Sequence, residues 1–103
     1  MTFDEQHLIA KSIMDDAYKV LESKGKDYAG LGDSLANFKR NAERQGLTKY
    51  QIWNVYFNKQ FDAINNAIKA NPSNPQVESE PIRSRVIDII NYLILLVALM
   101  EEK

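Results

Sequence analysis

Two stretches of this sequence hold side chains able to do chemistry. The first lies near the C-terminus, where Asp88, Asn91 and Tyr92 sit in or beside the most apolar run, Val86 to Met100, just after Arg85. Spacings of three and four put Arg85, Asp88 and Tyr92 on one face of a helix, with Asn91 three residues after Asp88. A carboxylate and a carboxamide in such a run need partners, because an unpaired buried charge costs several kcal/mol. Two arrangements would satisfy them. In one, Arg85 pairs with Asp88, and Tyr92 or a lysine from another helix completes an internal network. In the other, the face lines a polar pocket and turns Arg83 or Arg85 toward an anionic ligand.

The second stretch is basic. Lys24, Lys26, Lys39, Arg40 and Arg44 are five of the thirteen cationic residues. Glycines beside lysines let a backbone come close to phosphate oxygens. The ending that defines a P-loop, Gly-Lys followed by Ser or Thr, is missing. The plainer reading is a solvated loop followed by a charged helix face. Tyr50, Trp53, Tyr56 and Phe57 could stack a base, although aromatics at helical spacing more often build core. Tyr28 and Tyr56 are better stacking candidates than Trp53, being less tied to the core stripe.

Familiar catalytic sets do not assemble. His7 is the only histidine and stands beside an acidic terminus, and with no cysteine there is no thiolate nucleophile, thiolate metal site or disulfide. Asp15-Asp16 and Glu78-x-Glu80 are the nearest approach to paired carboxylates, short of the converging set that two-metal hydrolysis needs. The sequence therefore assigns no catalytic and no metal-ligating residue.

The elements that must position these side chains read as helices throughout. The first runs from about Phe3 to Ser23 on Leu8, Ile9, Ile13, Ala17, Val20 and Leu21, with Gly25 as its stop. A loop from Lys24 to Asp33 carries three of the four glycines. Asp33 or Ser34 caps a short second helix reaching Gln45, with Leu35, Phe38 and Ala42 inward and Gly46 at its end. Thr48 and Gln51 make a capping box for a third helix ending near Ala70. It presents Tyr50, Trp53, Phe57 and Ile64 on one face, and Ile52, Tyr56, Lys59 and Ala63 on the next. A polar loop with two prolines follows, and Ser79 or Glu80 ahead of Pro81 opens the last helix.

The expected fold is thus all-α, a small four-helix domain spanning residues 1–103. The last helix is apolar on nearly all its faces, and three partners leave part of it uncovered. A homo-oligomer formed through that C-terminal helix follows, against the alternative of a central helix wrapped by its own neighbours. A net charge of −1 argues against nucleic acid as the partner. The apolar run of fifteen residues falls short of the ~20 needed to span a bilayer, and the acidic start is not that of a signal peptide. The expectation is a protein with no membrane partner.

Three pieces, taken in order, carry a family likeness. They are Lys24-Gly-Lys-Asp-Tyr-Ala followed by Asn37-Phe38-Lys39, the Trp53-to-Lys59 helix, and Ser79-Glu-Pro-Ile-Arg-Ser-Arg-Val-Ile-Asp88-Ile-Ile-Asn91-Tyr92-Leu. This order resembles small phage and prophage proteins of the nucleotide-modification-associated domain type. Those in turn are distantly similar to the all-α, MazG-type nucleoside triphosphate pyrophosphatases, helical oligomers that bind nucleotides with carboxylates and magnesium. The resemblance covers about residues 8–100 and implies Lys26, Asp27, Tyr28, Asn37, Lys59, Asp88, Asn91 and Tyr92 as ligand-binding residues. Lys24 and Arg85 join them from the basic stretch and the C-terminal face. The Glu-Glu-x-x-Glu cluster of the pyrophosphatases is not reproduced, and Arg85 stands three residues before Asp88.

The resemblance implies a cytoplasmic protein of an infected or lysogenic bacterial cell that binds a small nucleotide-derived ligand without a cofactor. Sequestering a cyclic nucleotide or ADP-ribose-type immune signal, as an anti-defence sponge, fits that description. One alternative is a nucleotide pyrophosphatase or nucleotide-modification enzyme using Mg2+ held by Asp88 with Asp15, Asp16 or Asp62. Another is an inhibitor that docks on a host protein through the last helix. With four short helices, a pocket between subunits is favoured over one within a subunit.

Overall fold

A computed structural model of the 103-residue chain describes residues 1–28, 35–76 and 81–102, without the side chains of residues 26–28. The protein is all-α. Its four helices are α1 (Phe3–Tyr28), α2 (Ala36–Gln45), α3 (Lys49–Ala70) and α4 (Ile82–Glu101), with no strand among the described residues. The chain divides into two compact units, Met1–Ser34 and Leu35–Lys103.

The first unit is built on α1. Thr2 and Glu5 exchange hydrogen bonds at its start: the Glu5 amide donates to Thr2 Oγ1 at 3.1 Å and the Thr2 amide to Glu5 Oε2 at 3.4 Å. That reciprocal pair has the form of a capping box. The helix does not stop near Ser23. It continues through Gly25 to Tyr28, so residues 24–28, expected as loop, are helical. Gly25 does not take the left-handed conformation, and a Cβ there would meet nothing within 4 Å. The reason is energetic: one glycine inside a helix costs only about 1 kcal/mol relative to alanine, and good helix formers, Lys24 and Lys26, flank it. The rest of the expected loop, residues 29–34, lies outside the described residues, and with it the proposed caps Asp33 and Ser34.

In the second unit α3 is the central element, packed by α2 and by α4. α2 begins at Ala36 with Leu35 in the capping position and no side-chain cap. It ends as expected at Gly46, whose φ of 67° is left-handed and whose successor, Leu47, returns its amide to Ala42 O at 2.9 Å. This closure satisfies carbonyls that the last turn would otherwise leave open, and glycine takes the required φ without strain. Two residues later α3 opens with the expected box. The Gln51 amide donates to Thr48 Oγ1 at 3.2 Å, and the Thr48 amide donates to Gln51 Oε1 at 2.8 Å.

α4 starts one step later than expected. Pro81 itself holds the capping position, at φ −60° and ψ 145°, and its carbonyl accepts from the Ser84 amide at 3.0 Å. Proline has no N–H to leave unsatisfied, so it can close a helix start without a polar side chain. Ser79 and Glu80 lie outside the described residues.

The core joins Leu35, Phe38 and Ala42 to Ile52 and Trp53 of α3 and Leu99 of α4, with Phe57, Tyr92, Leu95, Leu96 and Ala98 packed around them. Leu99 is 0% exposed. Tyr50 donates its hydroxyl to Leu99 O at 3.4 Å, and Glu102 reaches both Lys39 (2.9 Å) and Lys49 (3.7 Å), tying the end of α4 to α2 and α3. The last helix is not buried on every side: Leu93, Ile94, Val97 and Met100 are exposed.

Candidate functional site

The site is set by how α4 lies on α3. Trp53 Nε1 donates to Tyr92 O at 2.6 Å, and Arg85 Nη1 donates to Gln60 Oε1 at 2.7 Å. Along α3 the partners advance by seven residues while along α4 they retreat by seven, so the helices are antiparallel and in register over two turns. Residue 88 therefore falls level with residue 57.

α3 answers this register with a ladder of rings. Trp53 and Phe57 stack at 4.9 Å with an interplanar angle of 13°, and Phe57 and Phe61 follow at 6.0 Å and 13°. The ladder runs from the buried Trp53 to the exposed Phe61, beside Gln60 and level with the Arg85 end of α4. Trp53 is thus core, as its spacing suggested. Tyr56, a stacking candidate, is also engaged: its ring meets Phe38 edge-on at 5.9 Å and its hydroxyl accepts from Asn41 Nδ2 at 3.1 Å.

The structure brings part of the expected set together. Arg85 and Tyr92 meet α3 through the two bonds above, Asp88 lies half-buried between them, and Asn91 is buried beside Tyr92. The internal arrangement considered for this face, an Arg85–Asp88 pair, is not what forms. Among the described residues no ion pair joins the two, and the arginine reaches across to Gln60 instead. The long arginine side chain spans to the facing helix, where Gln60 Oε1 stands within reach of Nη1.

Two other expected residues of the second unit lie elsewhere on it. Asn37 is exposed on α2, where its Oδ1 accepts from Arg40 Nη2 at 2.7 Å. Lys59 is exposed on α3, and at about 100° per residue it points well away from its neighbour Gln60. Among the described residues no hydrogen bond or ion pair links Asn37 or Lys59 to the α4 group. Lys24, exposed, and Lys26, Asp27 and Tyr28 form the last turn of α1 in the other unit. Helical backbone at Gly25 has its amides committed to the helix, so the expected phosphate-cradling loop does not exist at that glycine. Gly30 and Gly32 fall outside the described residues. The charged-face reading holds for Lys39 and Arg40, which bond Glu102 and Asn37.

Gln60 is the residue that sequence reasoning missed. A signal was present: it lies seven residues after Trp53, a polar interruption in the apolar stripe Trp53, Phe57 and Ile64. Among the described residues no three His, Asp or Glu side chains gather where a metal could be held, and no described helix is long and apolar enough to cross a membrane.

Fold and site together define a small all-α protein whose last two helices are joined by an arginine–glutamine bond and a tryptophan–carbonyl bond beside a ladder of aromatic rings. No family model, curated protein or solved structure matches the chain.

Proposed function

We propose that the protein binds a small nucleotide-derived ligand at the α3–α4 face, as a homo-oligomer, and holds it without converting it. The observation that supports this reading is the placement of Arg85. Its guanidinium is part-buried and aimed by Gln60, one turn from Asp88 and level with the open end of the ring ladder. A planar cation held in a half-dry setting favours an oxyanion such as a phosphate, and the exposed edge of Phe61 offers a surface for a base. Asp88, half-buried one turn from Arg85, offers an acceptor for a sugar or base edge.

The resemblance to phage nucleotide-modification-associated proteins extends the reading to a cytoplasmic sponge for a cyclic nucleotide or ADP-ribose-type signal in an infected cell. Binding without turnover is favoured over Mg2+-dependent hydrolysis because the motif of the pyrophosphatases is missing from the sequence.

The test is a thermal-shift screen of mono-, di- and cyclic nucleotides and ADP-ribose derivatives, with and without Mg2+, in which the ligand is then recovered and chromatographed. A ligand at a hundred times its Kd raises apparent stability by about 2.7 kcal/mol, since only the folded chain holds it. The expected result is a stabilising ligand recovered intact, with the shift lost in Arg85→Gln. Consumption of the ligand only in the presence of Mg2+ would make the protein an enzyme, and no shift with any compound would end the nucleotide reading.

A further inference from the structure

α4 carries two apolar faces, and the core uses one of them. Tyr92, Leu95, Leu96 and Leu99 turn toward α3 and α2. On the opposite side Val86, Ile90, Leu93, Val97 and Met100 follow one another at intervals of four, three, four and three residues. Alternating threes and fours average 3.5, the repeat that lets one helix lie along another with side chains interlocked. The stripe opens progressively toward the C-terminus: Val86 and Ile90 are half-buried, while Leu93, Val97 and Met100 are 46%, 53% and 66% exposed. A row with this repeat fits a helix better than a flat or irregular partner.

The charges at its two ends select which helix. Arg83 and Glu101 are both exposed and stand eighteen residues apart. Eighteen residues are five whole helical turns, about 27 Å, so both side chains leave α4 on the same flank of the stripe. Two copies of α4 laid antiparallel about a two-fold axis between residues 91 and 92 put each Arg83 level with the partner subunit's Met100, one residue's rise, about 1.5 Å, from the partner subunit's Glu101. The same axis matches Val86 with the partner subunit's Val97, and Ile90 with the partner subunit's Leu93. A parallel pair would instead oppose arginine to arginine and glutamate to glutamate.

We infer that α4 pairs antiparallel with α4 of a second copy of this chain, through Val86, Ile90, Leu93, Val97 and Met100, closed by two reciprocal Arg83–Glu101 ion pairs. This deepens the homo-oligomer part of the function proposed above and does not depend on the ligand part. The ligand face, at Arg85, Asp88 and Tyr92, looks the other way around the helix, so the two surfaces do not compete.

The experiment uses the full chain without nucleotide. Sedimentation equilibrium over a range of concentrations is expected to show a monomer–dimer equilibrium. Val97→Asp is expected to abolish the dimer while circular dichroism stays helical, since Val97 is exposed in the single chain. Arg83→Glu and Glu101→Arg should each weaken the dimer about three- to tenfold, and the double exchange should restore it. Orientation is read separately. The chain has no cysteine, so mixed Val86→Cys and Val97→Cys proteins should oxidise to the heterodimer, with neither variant cross-linking to itself. A Val97→Cys homodimer would overturn the antiparallel arrangement, and a monomer at every concentration would overturn the pairing and assign the stripe to another segment or another protein. Neither result would touch the nucleotide reading, which stands or falls on the thermal-shift screen.

Discussion

The two faces of α4 are nearly alike in composition and quite different in circumstance. Toward the core, Leu99 is fully buried and its carbonyl accepts from Tyr50, while Tyr92 packs on the core and its carbonyl accepts from Trp53. Two residues before Leu99, Val97 faces solvent. Both are aliphatic side chains on one helix within one turn. The difference teaches that apolar character on a helix states only that a partner is wanted. Which side obtains one inside the chain depends on how many helices can reach it. α3 covers one flank and leaves the other with a coiled-coil repeat and opposite charges at its ends.

The largest expected effect lies on the inner face. Leu99→Ala empties the best-packed position of the unit and should destabilise the chain by about 2–5 kcal/mol in urea unfolding. A loss under about 1 kcal/mol would mean the core closes around the void, and the contrast between faces would shrink. Trp53→Phe comes next, at about 1–2 kcal/mol, because it removes a net hydrogen bond and some ring volume while the Tyr92 carbonyl keeps its place in the helix. Hydrogen exchange at the amides of α4 should show the loss concentrated between residues 90 and 99. The smallest effect is expected outside. Val97→Ala, measured at dilution where the chain is monomeric, should change stability by no more than about 0.5 kcal/mol. A cost comparable with that of Leu99→Ala would show that the outer face is covered within the single chain.

The parts of the fold that were legible in the sequence are those decided within a few residues. The Thr48–Gln51 box and the left-handed Gly46 need only local hydrogen bonds and a missing Cβ, and both are where the sequence places them. Gly25 shows the limit of the same reasoning. It carries the same residue type as Gly46, yet it stays helical, because a glycine permits a stop without requiring one. Proline at position 81 was legible as a helix start, but its exact role was not, since first-turn and capping positions differ by one residue and both suit it.

The site was legible in residue type and less so in geometry. Arg85, Asp88, Asn91 and Tyr92 stood out as polar side chains in or beside the apolar run, and their shared stretch of α4 follows from helical spacing alone. The acceptor for Arg85 did not, because Gln60 lies twenty-five residues away on another helix. Asn37 and Lys59 were grouped with them by motif, and the packing keeps them on other surfaces.

By itself the sequence determined four helices, two of their caps, an aromatic row on α3 and an α4 apolar all round. Each follows from spacing along a 3.6-residue helix or from the backbone freedom of a single residue. Only the tertiary structure decided that α3 stands between α2 and α4, that Arg85 turns to Gln60 and not to Asp88, and that Leu99 is buried while Val97 is exposed. Those outcomes depend on register between helices distant in sequence, and register is fixed by how whole surfaces interlock, which no local pattern records.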